Sequence, residues 1–168
     1  LIETSDAGAG EACPVIVVPY EVVASAIPGA GKGLRLTAPV ARGAVIIAPD
    51  NLHTVWPEAR LRQCAPDSIE VQASVRWFEQ WFSITPEWTD ECYVNHSFEP
   101  NGLWHLGFIF ALDDLAAGTE LTVDYRLLLG DEDPGFACAA SGQAIRGWHW
   151  RETLSRSTAQ LAGLFSRG

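Results

Sequence analysis

The chain reads as a single, mainly β domain (β-rich α+β), and three observations support that reading. A length of 168 residues with 48% hydrophobic content suits one buried core. The 15 Gly and 10 Pro are spread as punctuation between short segments and are not gathered in a linker. The apolar segments between them are short and β-branched, and sustained helical spacing is confined to the C-terminal end. There is no internal repeat and no low-complexity tract.

Residues 1–14 are small and polar and read as a flexible N-terminal arm. Val15 to Val23 is a strand or two short ones, broken by Pro19. Pro28 to Gly33 is a glycine-rich loop, and the turn at Arg42-Gly43 introduces a buried strand over Val45 to Ala48. Residues 50–90 support two readings. Ile69, Val71, Ala73, Val75 and Trp77 alternate as in a strand, whereas Trp77, Phe78, Trp81 and Phe82 suit a helical face. Pro86 ends that stretch. Strands follow over Phe108 to Leu112 and Leu121 to Tyr125, with a turn over Asp113 to Gly118 between them. Asp131 to Gly135 is an acidic turn. From Trp150 onward Leu154, Thr158, Leu161 and Phe165 recur at helical spacing and predict a C-terminal helix.

Net charge is −10 and the pI is near 4.7, which argues against direct nucleic-acid binding. Such a surface either attracts a basic protein or serves solubility alone. Cys13, Cys64, Cys92 and Cys138 form no C-x-x-C pair and match no zinc ligand spacing; they read as reduced thiols of a cytoplasmic protein. No apolar run reaches transmembrane length and no signal-peptide pattern is present, so no membrane association is expected. The chain begins at Leu1 and contains no Met, which reads as a trimmed N-terminus or an alternative start codon.

Three segments can carry chemistry. In Gly31-Lys32-Gly33, two glycines let the backbone approach a ligand closely; an ordinary hairpin loop is the plainer reading. A phosphate-binding loop is excluded, because residue 26 is Ala and Gly33 stands where Ser or Thr would hold magnesium. Asn95-His96-Ser97 offers amide and imidazole groups suited to the amino and carboxylate ends of an amino-acid-like ligand. Alternatively, it is a capped turn before Pro100 with His96 buried and hydrogen-bonded. Tyr125 is either a core tyrosine at a strand end or a hydroxyl beside a reacting group. A metal site built on His53, His96, His105 and His149 finds no support in their spacing.

The flanks decide among these readings. Tyr93-Val94-Asn95-His96-Ser97-Phe98-Glu99-Pro100-Asn101 reproduces an aromatic-aliphatic-N-H-S-x-x-P-N string. Ala111-Leu112-Asp113-Asp114-Leu115 and Gly118, followed by Glu120-Leu121-Thr122-Val123-Asp124-Tyr125, reproduce A-L-x-D-I-x-x-G-E-E-L-T-x-D-Y, with Thr119 in place of one Glu. In this order, with Gly31-Lys32-Gly33-Leu34 and Arg42-Gly43 upstream, the chain resembles the SET domain of protein-lysine methyltransferases, in a small bacterial-type form. The resemblance implies a SET-domain fold of short twisted sheets (β-clip-like), with the two motifs threaded side by side in a pseudoknot. It divides the chain into an arm (1–14), a SET domain (15–130), a degenerate post-SET segment (131–150) and a C-terminal helix (151–168).

The same resemblance implies S-adenosyl-L-methionine as methyl donor, bound by Gly31, Lys32, Gly33, Asn95, His96 and Tyr125, with Tyr125 beside the transferring methyl group. It implies a narrow lysine channel lined by Trp104 and Phe136; the plainer reading of Trp104 is a tryptophan packed under the sheet. Residues 136–148 follow the post-SET pattern F-x-C-x-C-G-x-x-x-C-R-G, but Ala140 and Ile145 replace two of its cysteines. One thiolate cannot hold zinc, so no metal is expected, and the lid must close by packing. Phe136, Trp148 and Trp150 are the candidates, with Trp148 a partner for the adenine ring. Cys92 stands where the family commonly has Arg. The implied reaction is methyl transfer to a lysine side chain of a basic protein or peptide. The alternative is a catalytically inactive SET module acting as a protein-binding scaffold.

Overall fold

The computed structural model describes residues 15–49, 54–131 and 137–166. The arm over 1–14, His53, most of the acidic turn and Phe136 lie outside the described residues. Pro19 splits the first apolar stretch into two pieces that join different sheets. Val17 N–H donates to the Ile46 carbonyl and Ala48 N–H to the Val15 carbonyl, each at 2.9 Å. Beyond Pro19, β1 (Tyr20–Ala24) pairs antiparallel with β2 (Lys32–Leu36). The intervening loop turns through Gly29 and Gly31, whose φ values are +79° and +78°. Lys32 and Gly33 lie in β2, so the strand begins inside the segment read as a loop.

After β3 (Val45–Ile47) comes a small module of β4 (Val55–Pro57), α1 (Glu58–Leu61), α2 (Ile69–Gln72), β5 (Ser74–Phe78) and β6 (Trp81–Ile84). Its strands form a sheet in the order β4-β6-β5. The alternation from Ile69 to Trp77 crosses a boundary, since Ile69 and Val71 sit on α2 while Val75 and Trp77 sit on β5. The Ser68 side chain accepts from Val71 N–H and caps α2. Trp77, Phe78, Trp81 and Phe82 belong to a hairpin and form no helical face.

The larger sheet has the order β3-β9-β8-β10-β7, with β7 (Asn95–His96), β8 (Gly102–His105), β9 (Phe108–Ala111) and β10 (Thr122–Val123). β10 runs parallel to β7 in the register Thr122↔Asn95 and Val123↔His96. The two motifs, some thirty residues apart, are therefore neighbouring strands, as the pseudoknot requires. The expected strand over Leu121 to Tyr125 is shorter in the structure. Asp124 accepts from Arg126 N–H at 3.0 Å, and this cap turns the chain into a 3₁₀ turn over Tyr125–Leu127. Leu34, Leu36, Ile46, Leu103 and Leu121 are fully buried in the core that the β1-β2 hairpin and the larger sheet share.

The C-terminal helix α3 (Trp150–Phe165) is present, but its predicted apolar stripe does not face inward as a whole. The face against the sheet carries Thr153, Ser157 and Leu164, with Leu161 half-buried; Thr158 and Phe165 are exposed. Polar contacts dock it. Ser157 Oγ lies 2.9 Å from His105 Nδ1, and Arg42 donates to the carbonyls of Leu164 and Gly163 at the helix end. The buried Arg76 guanidinium donates to the Trp148 carbonyl at 2.7 Å and approaches Thr153 Oγ1 at 3.5 Å.

Candidate active site

The parallel β7/β10 pair sets Asn95 and His96 beside the end of β10, where Tyr125 begins. Side chains tie the two motifs further. His96 Nδ1 accepts from Tyr125 N–H at 3.1 Å, and the Tyr125 hydroxyl donates to the Val94 carbonyl at 2.7 Å. The imidazole meets Phe98 edge-on at 4.5 Å and lies against the Tyr125 ring at 5.4 Å. Because Nδ1 is an acceptor, the neutral ring carries its proton on Nε2, which is buried with no hydrogen-bond partner among the described residues. Burial pushes the His96 pKa down, against the opposing pull of Asp124. Burial also pushes the Tyr125 phenol up to about 12, with Cys92 adding to the effect. Tyr125 is therefore a neutral phenol at physiological pH.

Asn95, His96 and Tyr125 all line one cavity of about 1160 Å³. Lys32 reaches the same cavity, with its ammonium 5.2 Å from the Tyr93 ring centroid, as do Gly29 and Ala30 of the preceding loop. Gly31 and Gly33 are not among the lining residues. Trp104 is buried in the core and also lines the cavity. Tyr20, Trp77, Trp88 and Tyr93 contribute to the wall, as do Glu87, Asp90 and Glu91.

Trp148 lies outside the lining. Its ring is 4.5 Å from the Arg126 guanidinium and 4.4 Å from that of Arg156, and it packs against the core. Trp150 sits on α3 with the Arg151 guanidinium over its ring at 4.5 Å. Residues the sequence reading did not select also pack against Tyr125. Cys138 and Ile145 are buried with Leu129, and Phe98, Leu128 and Tyr125 pack against them. Ala137, Ala139 and Ile145 line the cavity from that side. The available signal was Ile145 itself, an aliphatic residue at a place where the resemblance has cysteine. Among the described residues no group of three or more His, Cys, Asp or Glu could hold a metal ion.

Asn101 and Glu120 were also not selected. Asn101 Nδ2 donates to the Glu120 carbonyl and its Oδ1 accepts from Thr122 N–H, each at 2.9 Å, which joins the end of one motif to the start of the other. The Glu120 carboxylate accepts from Ser25 Oγ, Ala26 N–H and Asn95 Nδ2. Both were visible only as letters of the motif strings.

The fit of a methyl donor rests on two features. Asn95 Nδ2 is engaged by the Lys32 carbonyl at 2.8 Å and by Glu120 at 3.0 Å, so Oδ1 is the amide's remaining polar atom, an acceptor suited to an ammonium group. The aromatic and acidic lining suits a cationic sulfonium. The residues present fit that group.

A family model described as SET domain matches residues 31–126, more than half of the chain. Among solved structures, a chain of ctPRC2, in a structure described as its complex with H3K27me3 and H3K27M, superposes with a TM-score of 0.54 at 16% identity. That match covers 76% of this chain and 16% of the other. No curated protein sequence matches the chain. Both motifs and the strand pair that joins them fall inside the family match, and the chain belongs to the SET domain family.

Proposed function

We propose that this protein is a protein-lysine N-methyltransferase that uses S-adenosyl-L-methionine to methylate a lysine of a basic protein or peptide. The observation that carries this reading is the convergence of Asn95, His96 and Tyr125 on one cavity. The donor, when bound, supplies an activated methyl group on a positively charged sulfur. The protein's share is to bind, orient and exclude water. Asn95 Oδ1 offers an acceptor to the donor's amino group. Trp104, Ile145 and the Tyr125 ring form dry wall, and desolvation lowers the pKa of a lysine that enters, from its usual value of about 10.4. A neutral amine, held in line, is the attacking form. Tyr125 remains protonated, and its hydroxyl is held in place by donating to the Val94 carbonyl at 2.7 Å, at the end of β10 where the methyl group would be presented.

Glu87, Asp90 and Glu91 on the lining favour a basic peptide. Among the described residues no helix is long and apolar enough to cross a membrane. A cytoplasmic location, no direct nucleic-acid contact and a role for Trp104 in the lysine channel belong to this proposal. The test is incubation with tritiated donor and host lysate, followed by mass spectrometry of labelled proteins. Label on lysine supports the enzyme. Donor binding without transfer to any protein supports the inactive scaffold.

A further inference from the structure

Gly33 lies in β2 and does not line the cavity, yet a side chain there has no room. A Cβ on Gly33 would stand 2.4 Å from Oε1 and 2.6 Å from Cδ of Glu120. Its φ lies outside the left-handed region, so backbone strain is not the reason for glycine. The reason is the close approach of the Glu120 carboxylate. That carboxylate reaches across from the second motif and gathers three donors. Oε1 accepts from Ser25 Oγ at 2.7 Å and Asn95 Nδ2 at 3.0 Å, and Oε2 accepts from Ala26 N–H at 2.7 Å.

The consequence falls on Asn95. Its amide has two possible orientations of nearly identical shape. In the one observed, Nδ2 faces both the Lys32 carbonyl and the Glu120 carboxylate. The reversed amide would set Oδ1 against two oxygens, one of them charged, and would lose both hydrogen bonds. We propose that Glu120 is a positioning residue that orients the Asn95 amide, with its acceptor left for the ligand, and that Gly33 serves the site by making room for this carboxylate. The inference rests on the methyl-donor reading of the cavity. It also assigns Gly33, expected to bind the donor, a place one contact removed from it. Burial would push the Glu120 carboxyl up, but the three hydrogen bonds outweigh it and hold the group below the usual carboxylate range. The carboxylate therefore stays charged throughout the neutral range.

Two variants separate this role from bulk stability. Glu120→Gln keeps the shape but can turn an NH2 toward Asn95, so only the Lys32 carbonyl still opposes the reversed amide. Gly33→Ala leaves Glu120 chemically intact and displaces its flexible end. Titration of each with S-adenosylhomocysteine by calorimetry, beside thermal unfolding, reads the effect. Both should weaken binding by about tenfold or more, the loss of one charge-assisted hydrogen-bonding group. The double variant should bind no more weakly than the poorer single one, because both act through one carboxylate. In the ligand-free protein, the Asn95 side-chain amide resonances should move in both variants, and in the same direction. Variants that bind the probe as the wild type does would overturn the positioning role. A wild type that binds no probe would overturn the donor reading instead, and unmoved Asn95 resonances would then overturn the positioning role as well.

Discussion

The Nδ1 atom of His96 accepts a hydrogen bond from the backbone N–H of Tyr125 at 3.1 Å, so one imidazole joins the two motifs that define the site. The contact requires an unprotonated Nδ1. It places a titratable group at the centre of the fold, buried to within 8% of full coverage.

The first prediction concerns acid. Burial lowers the folded pKa of His96 below its unfolded value of about 6.5. The unfolded chain then binds the proton first, so His96 contributes stability above about pH 6.5 that is lost as pH falls below it. His105 shifts in the same direction by burial and adds to the trend. Denaturant titrations from pH 7.5 to 5 should show a falling unfolding free energy, by up to about 1.4 kcal/mol per pH unit for His96 alone. His96→Gln should flatten that slope. It should also lower stability at pH 7.5 by about 1–3 kcal/mol, where the amide leaves the Tyr125 N–H poorly paired. A slope unchanged in the variant would assign the acid sensitivity elsewhere.

A second prediction separates binding from chemistry at Tyr125. Tyr125→Phe keeps the ring against His96 and the Cys138–Ile145 cluster but removes the hydroxyl that meets Val94. Stability should fall by about 1 kcal/mol, the usual cost of one lost hydrogen bond. Methyl transfer should fall by about a hundredfold, while the affinity for S-adenosylhomocysteine changes by less than about threefold. Equal losses in both assays would remove Tyr125 from the reacting centre.

Long motif strings made the site legible, and local periodicity did not. Tyr93 to Asn101 and Ala111 to Tyr125 carry enough letters to place Asn95, His96 and Tyr125 together, and the β7/β10 register brings them there. Periodicity misled where one pattern spans two elements. From Ile69 to Trp77 the alternation ignores a helix–strand boundary that the Ser68 cap creates. It misled again on α3, because that helix docks through Thr153, Ser157 and their partners Arg76 and His105. Long-range polar contacts of that kind leave no periodic trace. Gly33 was legible as a needed glycine but not as Glu120's neighbour, since 87 residues separate them in the chain.

The third prediction tests how α3 is held. Arg76 is 3% exposed, its Nε has no hydrogen-bond partner, and no ion pair forms on it among the described residues. Its packing, with the guanidinium carbon 5.7 Å from the Phe82 ring centroid, and its hydrogen bonds to the Trp148 carbonyl and Thr153 Oγ1 are what it contributes. Arg76→Ala removes both and should cost about 3 kcal/mol in urea unfolding. Arg76→Met keeps the stem and relieves the buried cation, so it should stay within about 1 kcal/mol of the wild type. A methionine variant as damaged as the alanine one would show that the guanidinium itself is indispensable.

The last prediction addresses closure over Tyr125. Ile145 is 1% exposed and, with Cys138 and Leu129, packs against the Tyr125 ring, which makes this wall a hydrophobic contact. Ile145→Ala would empty the centre of a three-residue cluster. Truncations of this kind cost about 2–5 kcal/mol where the surroundings cannot collapse, and the small size of the cluster leaves little to collapse. The variant should therefore lose methyl transfer more steeply than it loses the fold, because water then reaches the Tyr125 hydroxyl and a lysine beside it regains its ordinary pKa. Its activity should recover partly at higher pH, where the free amine is restored by bulk titration. Cys138→Ala removes one sulfur from the same cluster and should be mild by comparison. Chelators should change neither unfolding temperature nor activity. A chelator-sensitive wild type would mean that a metal supports the wall after all, and a pH profile of Ile145→Ala identical to that of the wild type would mean that exclusion of water is not what this wall provides.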